Sequence, residues 1–161
     1  MTLRPVDRAD LPALGEMLKR PEVAEWWPDY DAERLAKDIF AEPQEVTAFV
    51  IEFDRRPVGS IWYYEENEPE YRHAGIDLFV GADWQGRGIG TDALRTLAAH
   101  LFEAKGHHRI IIDPAASNER AVHVYKKVGF RPVGVMRRYE RQSNGTFRDG
   151  LLMDMLPEDL T

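Results

Sequence analysis

Apolar positions recur along the chain with two different periods, and the change between them lays out the elements. Residues 2–6 read as a short opening strand. From Asp7 or Asp10, either of which can cap a helix, to about Lys19, the residues Leu11, Leu14, Met17 and Leu18 fall on one helical stripe. Residues 23–27 are a second apolar-rich stretch, ended by Pro28. Residues 31–41 set Leu35, Ala36, Ile39 and Phe40 on one side of another helix. The period then shortens. Residues 46–53 and 58–64 are rich in β-branched and aromatic side chains, and Asp54-Arg55-Arg56-Pro57 between them marks a hairpin turn. Residues 74–80 continue the meander as a third strand. Residues 87–105 form a long helix with Leu94, Leu97, Ala98, Leu101 and Phe102 on its apolar face, and 109–112 a short strand of buried type. Residues 118–128 are a helix stopped by Gly129. Strands over 130–138 and 147–156, turned by Ser143-Asn144-Gly145, close the chain.

This order predicts an α/β chain of the α+β type, with a mixed, mostly antiparallel central sheet of about seven strands flanked by helices. With 161 residues and no linker, repeat or low-complexity stretch, residues 1–161 are expected to form one domain. Composition narrows the chemistry. There are no cysteines, which excludes thiolate nucleophiles, thiolate metal sites and disulfides. The net charge of −7 disfavours nucleic acid and favours cationic partners. No apolar run is long enough to span a membrane, and the N-terminus lacks a signal-peptide pattern, so a cytoplasmic protein is expected. The five histidines form no convincing metal pair, and no metal is expected.

The segment Gly75-Ile76-Asp77-Leu78-Phe79-Val80-Gly81-Ala82-Asp83-Trp84-Gln85-Gly86-Arg87-Gly88-Ile89-Gly90-Thr91 carries the most chemistry. A strand runs through a glycine-rich turn directly into a helix. Gly86, Gly88 and Gly90 remove side chains where a ligand must approach the backbone. The free N–H groups and dipole of the helix start favour an anion, and Arg87 adds positive charge. No Lys-Ser/Thr pair is present for a Walker loop, and the position late in a meander does not suit a dinucleotide fold.

Gln85, Gly88 and Gly90, with Asn118, Tyr125 and Gly129-Phe130 downstream, resemble the signature of the Gcn5-related N-acetyltransferases (GNAT). The order of strands and helices agrees from end to end. The resemblance implies the GNAT fold and acetyl-CoA as the acetyl donor. It implies that Leu78, Phe79 and Val80 line the pantetheine arm between two splayed strands. The loop Gln85-Gly86-Arg87-Gly88-Ile89-Gly90-Thr91 then holds the pyrophosphate, mainly through the main-chain N–H groups of Arg87, Gly88, Gly90 and Thr91. Asn118 touches the cofactor from the neighbouring helix.

Amine acetylation needs a route for the ammonium proton and a donor for the departing thiolate. Asp77 interrupts an apolar strand beside the loop, where partial desolvation would raise its pKa and make it a base. Period-2 alternation equally allows it to stand on a solvated face. Tyr125 occupies the tyrosine position of the family and is implied as the acid. Its shared face with Ala121 and Val128 also suits a core aromatic.

Glu25-Trp26-Trp27, Gly75-Ile76-Asp77 and Asp113-Pro114-Ala115-Ala116-Ser117-Asn118 followed by Arg120-Ala121 look like the aminoglycoside 6′-N-acetyltransferases. That resemblance implies a small cationic amine as substrate, with Trp26 or Trp27 on the sugar ring and Asp77, Asp113 and Asp149 at its ammonium groups. Glu25, Asp29, Asp31, Glu65, Glu66, Glu68 and Glu70 could add to a negative basin, or be solvated surface. The segment 136–148, with Arg137, Arg138, Arg141 and Arg148, is basic for such a site. A protein N-terminus, a lysine or hydroxylysine acceptor, or a non-catalytic acetyl-CoA sensor are the alternatives. Either a monomer or a homodimer is compatible with the pattern.

Overall fold

The computed structural model describes residues 1–161. All seven strands join one sheet in the order β1-β2-β3-β4-β5-β7-β6. β1 (Thr2–Pro5), β2 (Val46–Phe53), β3 (Arg56–Glu66) and β4 (His73–Val80) are antiparallel neighbours. β5 (Ile110–Ile112) lies parallel to β4 across the helical crossover α4 (Ile89–Glu103). β7 (Phe147–Met155) and β6 (Arg131–Arg141) complete the sheet as an antiparallel hairpin.

Period-2 alternation sorts the sheet's side chains into two cores. Ile61, Tyr63, Ala74 and Ile76 face α4, where Leu94, Leu97, Ala98 and Leu101 meet them with Val128, Phe130 and Met153. Trp62, Phe79, Ala48 and Val50 face the other way, toward Leu14 and Leu18 of α1 (Leu11–Lys19), Val23 of α2 (Pro21–Ala24) and Leu35 and Ile39 of α3 (Ala32–Ile39). Apolar burial on both faces is the main stabilising term.

Several boundaries differ from the sequence reading. Asp7 caps a 3-10 turn (Arg8–Asp10) rather than α1, and Asp10 is buried in an ion pair with Arg4. The β2–β3 turn is only Asp54-Arg55, both left-handed at φ 48° and 60°, and β3 already starts at Arg56. Pro57 is tolerated there because the pairing slips between Ile51 and Glu52, where a missing N–H is not needed. α4 starts at Ile89, not Arg87, because Gly86 and Gly88 are left-handed at φ 76° and 80° and keep the loop out of the helix. β6 extends to Arg141 through an irregularity between Met136 and Glu140.

Two features position the site. β4 and β5 pair only at Ala74–Ile110 and Gly75–Ile111. Beyond that point the strands part, and the edge of β4 from Ile76 to Val80 faces an opening. α5 (Glu119–Val128), capped by the Asn118 side chain accepting from the Ala121 N–H at 3.1 Å, closes the other side of the opening.

Candidate active site

Two connected cavities fill the opening. The first, about 420 Å³, runs between the end of β4, the Gln85–Thr91 loop and α5. Its lining includes Leu78, Phe79, Val80, Gln85, Gly86, Gly88, Ile89, Gly90, Thr91 and Asn118. The second, about 690 Å³, lies on the α2–α3 side and contains Asp77 and Asp113. Trp26, Trp27, Leu78, Asn118 and Tyr125 border both, so the junction lies at Tyr125 and Leu78, with Asp77 on the side of the second cavity.

The first cavity has the chemistry of an anion cradle. The main-chain N–H groups of Gly86, Arg87 and Gly88 bond no carbonyl of the chain, and the first turn of α4 adds the donors that every helix start leaves free. A Cβ at Gly88 would meet nothing within 4 Å, so the loop backbone is open to a ligand. Gln85 braces the loop: its Nε2 donates to the Val80 carbonyl at 2.9 Å, and its Oε1 accepts from Arg120 at 2.8 Å. The guanidinium that lines the cavity is that of Arg120, in the first turn of α5. The Arg87 side chain turns away and lies over the Trp84 ring at 5.0 Å, leaving only its N–H for the cradle. The unpaired edge of β4 continues from this cradle to the second cavity, as an extended thioester-bearing arm requires. These residues fit coenzyme A.

Asp77 is not on a wet face. It shares the β4 face of Phe79 and stands opposite Trp62 in the sheet register, under the cluster of Trp27, Tyr30 and Trp62. Burial, reinforced by the charges of Asp113 and Asp38, pushes its carboxyl up to about 7, and Trp62 beside it offsets only part of the rise. Asp113, at the end of β5, is also raised by burial, against the hydrogen bond it accepts from the Tyr139 hydroxyl at 2.5 Å. The Tyr125 hydroxyl is pushed up by burial and then by the negative charges of Asp77 and Asp113. It therefore stays protonated across the working range and can donate. Its ring also packs on Phe130 at 6.1 Å, so the side chain serves the core while it borders both cavities.

The two tryptophans divide their roles. Trp27 packs 5.3 Å from Trp62 and 6.1 Å from Phe79, anchoring the loop to the core. Trp26 is covered by Arg148 at 5.3 Å. Arg148 also donates to the Glu25 carbonyl at 2.9 Å and pairs with Glu140. The most buried of the four arginines in 136–148 is thus a neutralised strut, whereas Arg141 lines the second cavity, as does Arg34 of α3. Asp149 lines neither cavity; it is exposed and accepts the Arg138 N–H at 2.8 Å. Of the expected acidic basin, Glu25 borders the first cavity and Asp29 the second. Asp31 caps α3, and Glu65 is held by His107 at 2.7 Å.

Sequence reasoning missed Tyr30, Tyr64, Tyr139 and Asp38. Tyr64 had a legible signal: in the hairpin register it faces Gly75, and a Cβ there would come within 2.1 Å of its ring. The other three reach the site through tertiary contacts alone.

Residues 1–131 match the acetyltransferase (GNAT) domain. Taken with the splayed strands and the glycine cradle, this places the chain in the GNAT family of acetyl-CoA-dependent N-acetyltransferases. It is 31% identical over 169 aligned residues to aminoglycoside N(6′)-acetyltransferase type 1 of Klebsiella pneumoniae, covering 93% of this chain and 79% of that one. It is 26% identical to spermidine N(1)-acetyltransferase of Escherichia coli K12, covering 94% and 83%. Among solved structures it resembles Mycobacterium smegmatis RimJ in complex with CoA-disulfide, with TM-score 0.82, 28% identity and coverage of 98% and 82%. The chain therefore shares its family with enzymes named for small cationic amines. No helix is long and apolar enough to cross a membrane.

Proposed function

We propose that this N-acetyltransferase acts on the 6′-amine of an aminoglycoside. The observation that carries this reading is the second cavity. Its roughly 690 Å³ hold two partly desolvated carboxylates, Asp77 and Asp113, between the aromatic walls of Trp26, Tyr64 and Tyr139. A cationic sugar asks for both parts: carboxylates for ammonium and hydroxyl groups, flat apolar faces for the rings. Volumes of about 300–1,000 Å³ suit ligands of that size. The Klebsiella pneumoniae relative supports the same acceptor.

Asp77, Tyr125 and Asp113 each have a task in this reaction. Asp77, poised near neutrality, takes the proton of the bound ammonium so that the neutral amine attacks the thioester carbonyl. A carbon–nitrogen bond forms and the carbon–sulfur bond breaks. Tyr125, held protonated, donates the hydrogen bond that stabilises the leaving thiolate, and the second proton, lost from nitrogen as the amide forms, ends on the sulfur to give the free thiol. Asp113 holds a second cationic or hydroxyl group of the acceptor. Transfer is direct, since no cysteine is available to carry the acetyl group.

The relation to spermidine N(1)-acetyltransferase favours a second reading, a linear polyamine acceptor at the same carboxylates. One assay separates them. Purified protein is given acetyl-CoA with kanamycin- or tobramycin-type aminoglycosides, their 6′-deamino analogues, spermidine, basic peptides and lysine derivatives. Thiol release is followed with a disulfide dye, to which the cysteine-free protein contributes nothing. Release with aminoglycosides and not with 6′-deamino analogues is the expected result. Release with spermidine alone would replace the acceptor, and release with peptides or lysine derivatives alone would do the same.

A further inference from the structure

Asp149 is the one expected acceptor ligand that borders neither cavity, yet it is bonded to both sides of the acceptor site. On β6, Arg137, Arg138 and Tyr139 together oppose only Asp149 on β7, because the register passes from Met136–Gly150 directly to Glu140–Arg148. This is a three-against-one bulge, and Arg138 within it is left-handed at φ 51°. A non-glycine residue holds such a conformation only where its surroundings impose it. The one side-chain contact to that backbone is the Asp149 carboxylate, whose Oδ1 accepts the Arg138 N–H at 2.8 Å.

The next residue, Tyr139, is thereby turned toward β5, and its hydroxyl donates to Asp113 Oδ2 at 2.5 Å. Its ring lies against Gly150, where a Cβ would sit 2.8 Å from Tyr139 Cδ1. The main chain of the same β7 segment carries the other partner. The Asp149 carbonyl accepts the Ala116 N–H at 2.9 Å, and the Leu151 N–H donates to the Pro114 carbonyl at 2.8 Å, fixing the loop that follows Asp113. The same short β7 segment thus holds the bulge through the Asp149 side chain and the loop through the main chain of Asp149 and Leu151.

We propose that Asp149 is a positioning residue: by holding the Arg138 bulge it aims the Tyr139 hydroxyl at Asp113, and the oriented Asp113 carboxylate, with one oxygen occupied and one free, selects the acceptor. Tyr139 is the specificity-determining residue of the pair. The role rests on the acceptor reading above in assigning Asp113 to the acceptor. It differs from a direct contact of Asp149 with an ammonium group, in which its charge would matter. In positioning, only its acceptor oxygen matters.

The test uses Asp149→Ala, Asp149→Asn, Tyr139→Phe and the double variant Asp149→Ala/Tyr139→Phe, with kanamycin as the probe acceptor. Asp149→Ala and Tyr139→Phe each raise the acceptor KM about tenfold, the scale of one lost hydrogen bond to a charged group. Both leave the acetyl-CoA KM and the saturated kcat within about twofold. The double variant is no worse than either single one, because both remove the same link. Asp149→Asn behaves as the wild type, since its amide oxygen still accepts the Arg138 N–H. Asp149→Asn as weak as Asp149→Ala, or additive losses in the double variant, would overturn the proposal.

A second readout does not depend on the acceptor. Carbon-13 labelling of the tyrosine rings, with Tyr139 assigned through Tyr139→Phe, follows its hydroxyl titration by NMR. The hydroxyl titrates later than a free tyrosine in the wild type and in Asp149→Asn, held up first by its hydrogen bond to Asp113, and earlier than in the wild type in Asp149→Ala, where burial and the neighbouring charges alone remain. If kanamycin is not acetylated, this readout decides alone. An unchanged Tyr139 titration in Asp149→Ala refutes the link whatever the acceptor.

Discussion

Replacing Asp77 with asparagine should make the protein more stable and nearly inactive. The carboxyl moves from an ordinary 3.8 to about 7 on folding, with burial the first cause and Asp113 the second. A group whose folded pKa is raised binds its proton more tightly in the folded state. Stability therefore falls as pH rises from about 4 to about 7 and stays low above that. The difference of about 3 between the two values, at about 1.36 kcal/mol each, gives about 4 kcal/mol as an upper limit. Asp77 opens onto a large cavity in which water screens it, so about half of this is expected, about 2 kcal/mol. Asparagine carries no charge and avoids that cost. For a chain of this length about 2 kcal/mol corresponds to a Tm higher by about 4–8 °C. The gain should appear in full at pH 8 and be largely gone at pH 4, where the wild-type carboxyl is neutral in the folded protein and only about half ionised in the unfolded chain.

Activity moves the opposite way. Wild-type kcat/KM should rise with pH through about 7 as Asp77 ionises. Asp77→Asn should lose that limb and about 100-fold or more in kcat, the usual contribution of a general base. Calorimetry at the two pH values and a pH–rate profile check both halves. An equal Tm difference at pH 4 and pH 8 would show that Asp77 is not held at a raised pKa. An unchanged acidic limb in Asp77→Asn would show that another group is the base.

Three further outcomes follow from the geometry. Tyr125→Phe should lower kcat about 100-fold with the acetyl-CoA KM nearly unchanged, read by steady-state thiol release, because only the donor to the leaving sulfur is lost. Gly88→Ala meets no neighbour within 4 Å but must adopt φ 80°, so it should cost about 1 kcal/mol, or about 2–4 °C in Tm. Its methyl also stands in the anion cradle, so the acetyl-CoA KM should rise while the acceptor KM holds. Gly75→Ala places a Cβ 2.1 Å from Tyr64 Cζ, and the partly exposed ring must swing away from the acceptor cavity. The acceptor KM should then rise about tenfold, with acetyl-CoA binding as in the wild type.

Much of the fold was legible because local rules and burial agree. The α4 stripe, the meander and the glycine stops at Gly129 and Gly145 each satisfy a propensity and a packing demand together. The boundaries that moved are those where one residue's backbone chemistry outweighs the pattern. Left-handed Gly86 and Gly88 push the start of α4 to Ile89, and Pro57 survives inside β3 because a bulge excuses its missing N–H. The bulge at Arg138 could not be read, since its partner, the Asp149 carboxylate, reaches it across the hairpin.

The donor half of the site was legible for a simple reason. A strand, its glycine loop and the next helix are contiguous, so Leu78 through Thr91 appear in one stretch of sequence as they do in one cavity. The acceptor half has no such contiguity. Its field comes from Asp77 on β4, Asp113 after β5 and Asp38 on α3, with phenols from α3's approach, β3 and β6. As acceptor ligands, Asp77 and Asp113 were named in the sequence through the family resemblance, while the dense Glu65–Glu70 run, open there as basin or solvated surface, has its first carboxylate consumed by a buried histidine. Carboxylates that shift one another's pKa must share a low-dielectric space, and that condition is set by packing rather than by sequence distance. On the proposed acceptor reading, choice of amine depends on side chains that shape that shared space, Tyr30, Tyr64 and Tyr139, more than on the number of acidic residues near it. Substitutions at these phenols should change which amine is taken while the acetyl-CoA KM stays where it was.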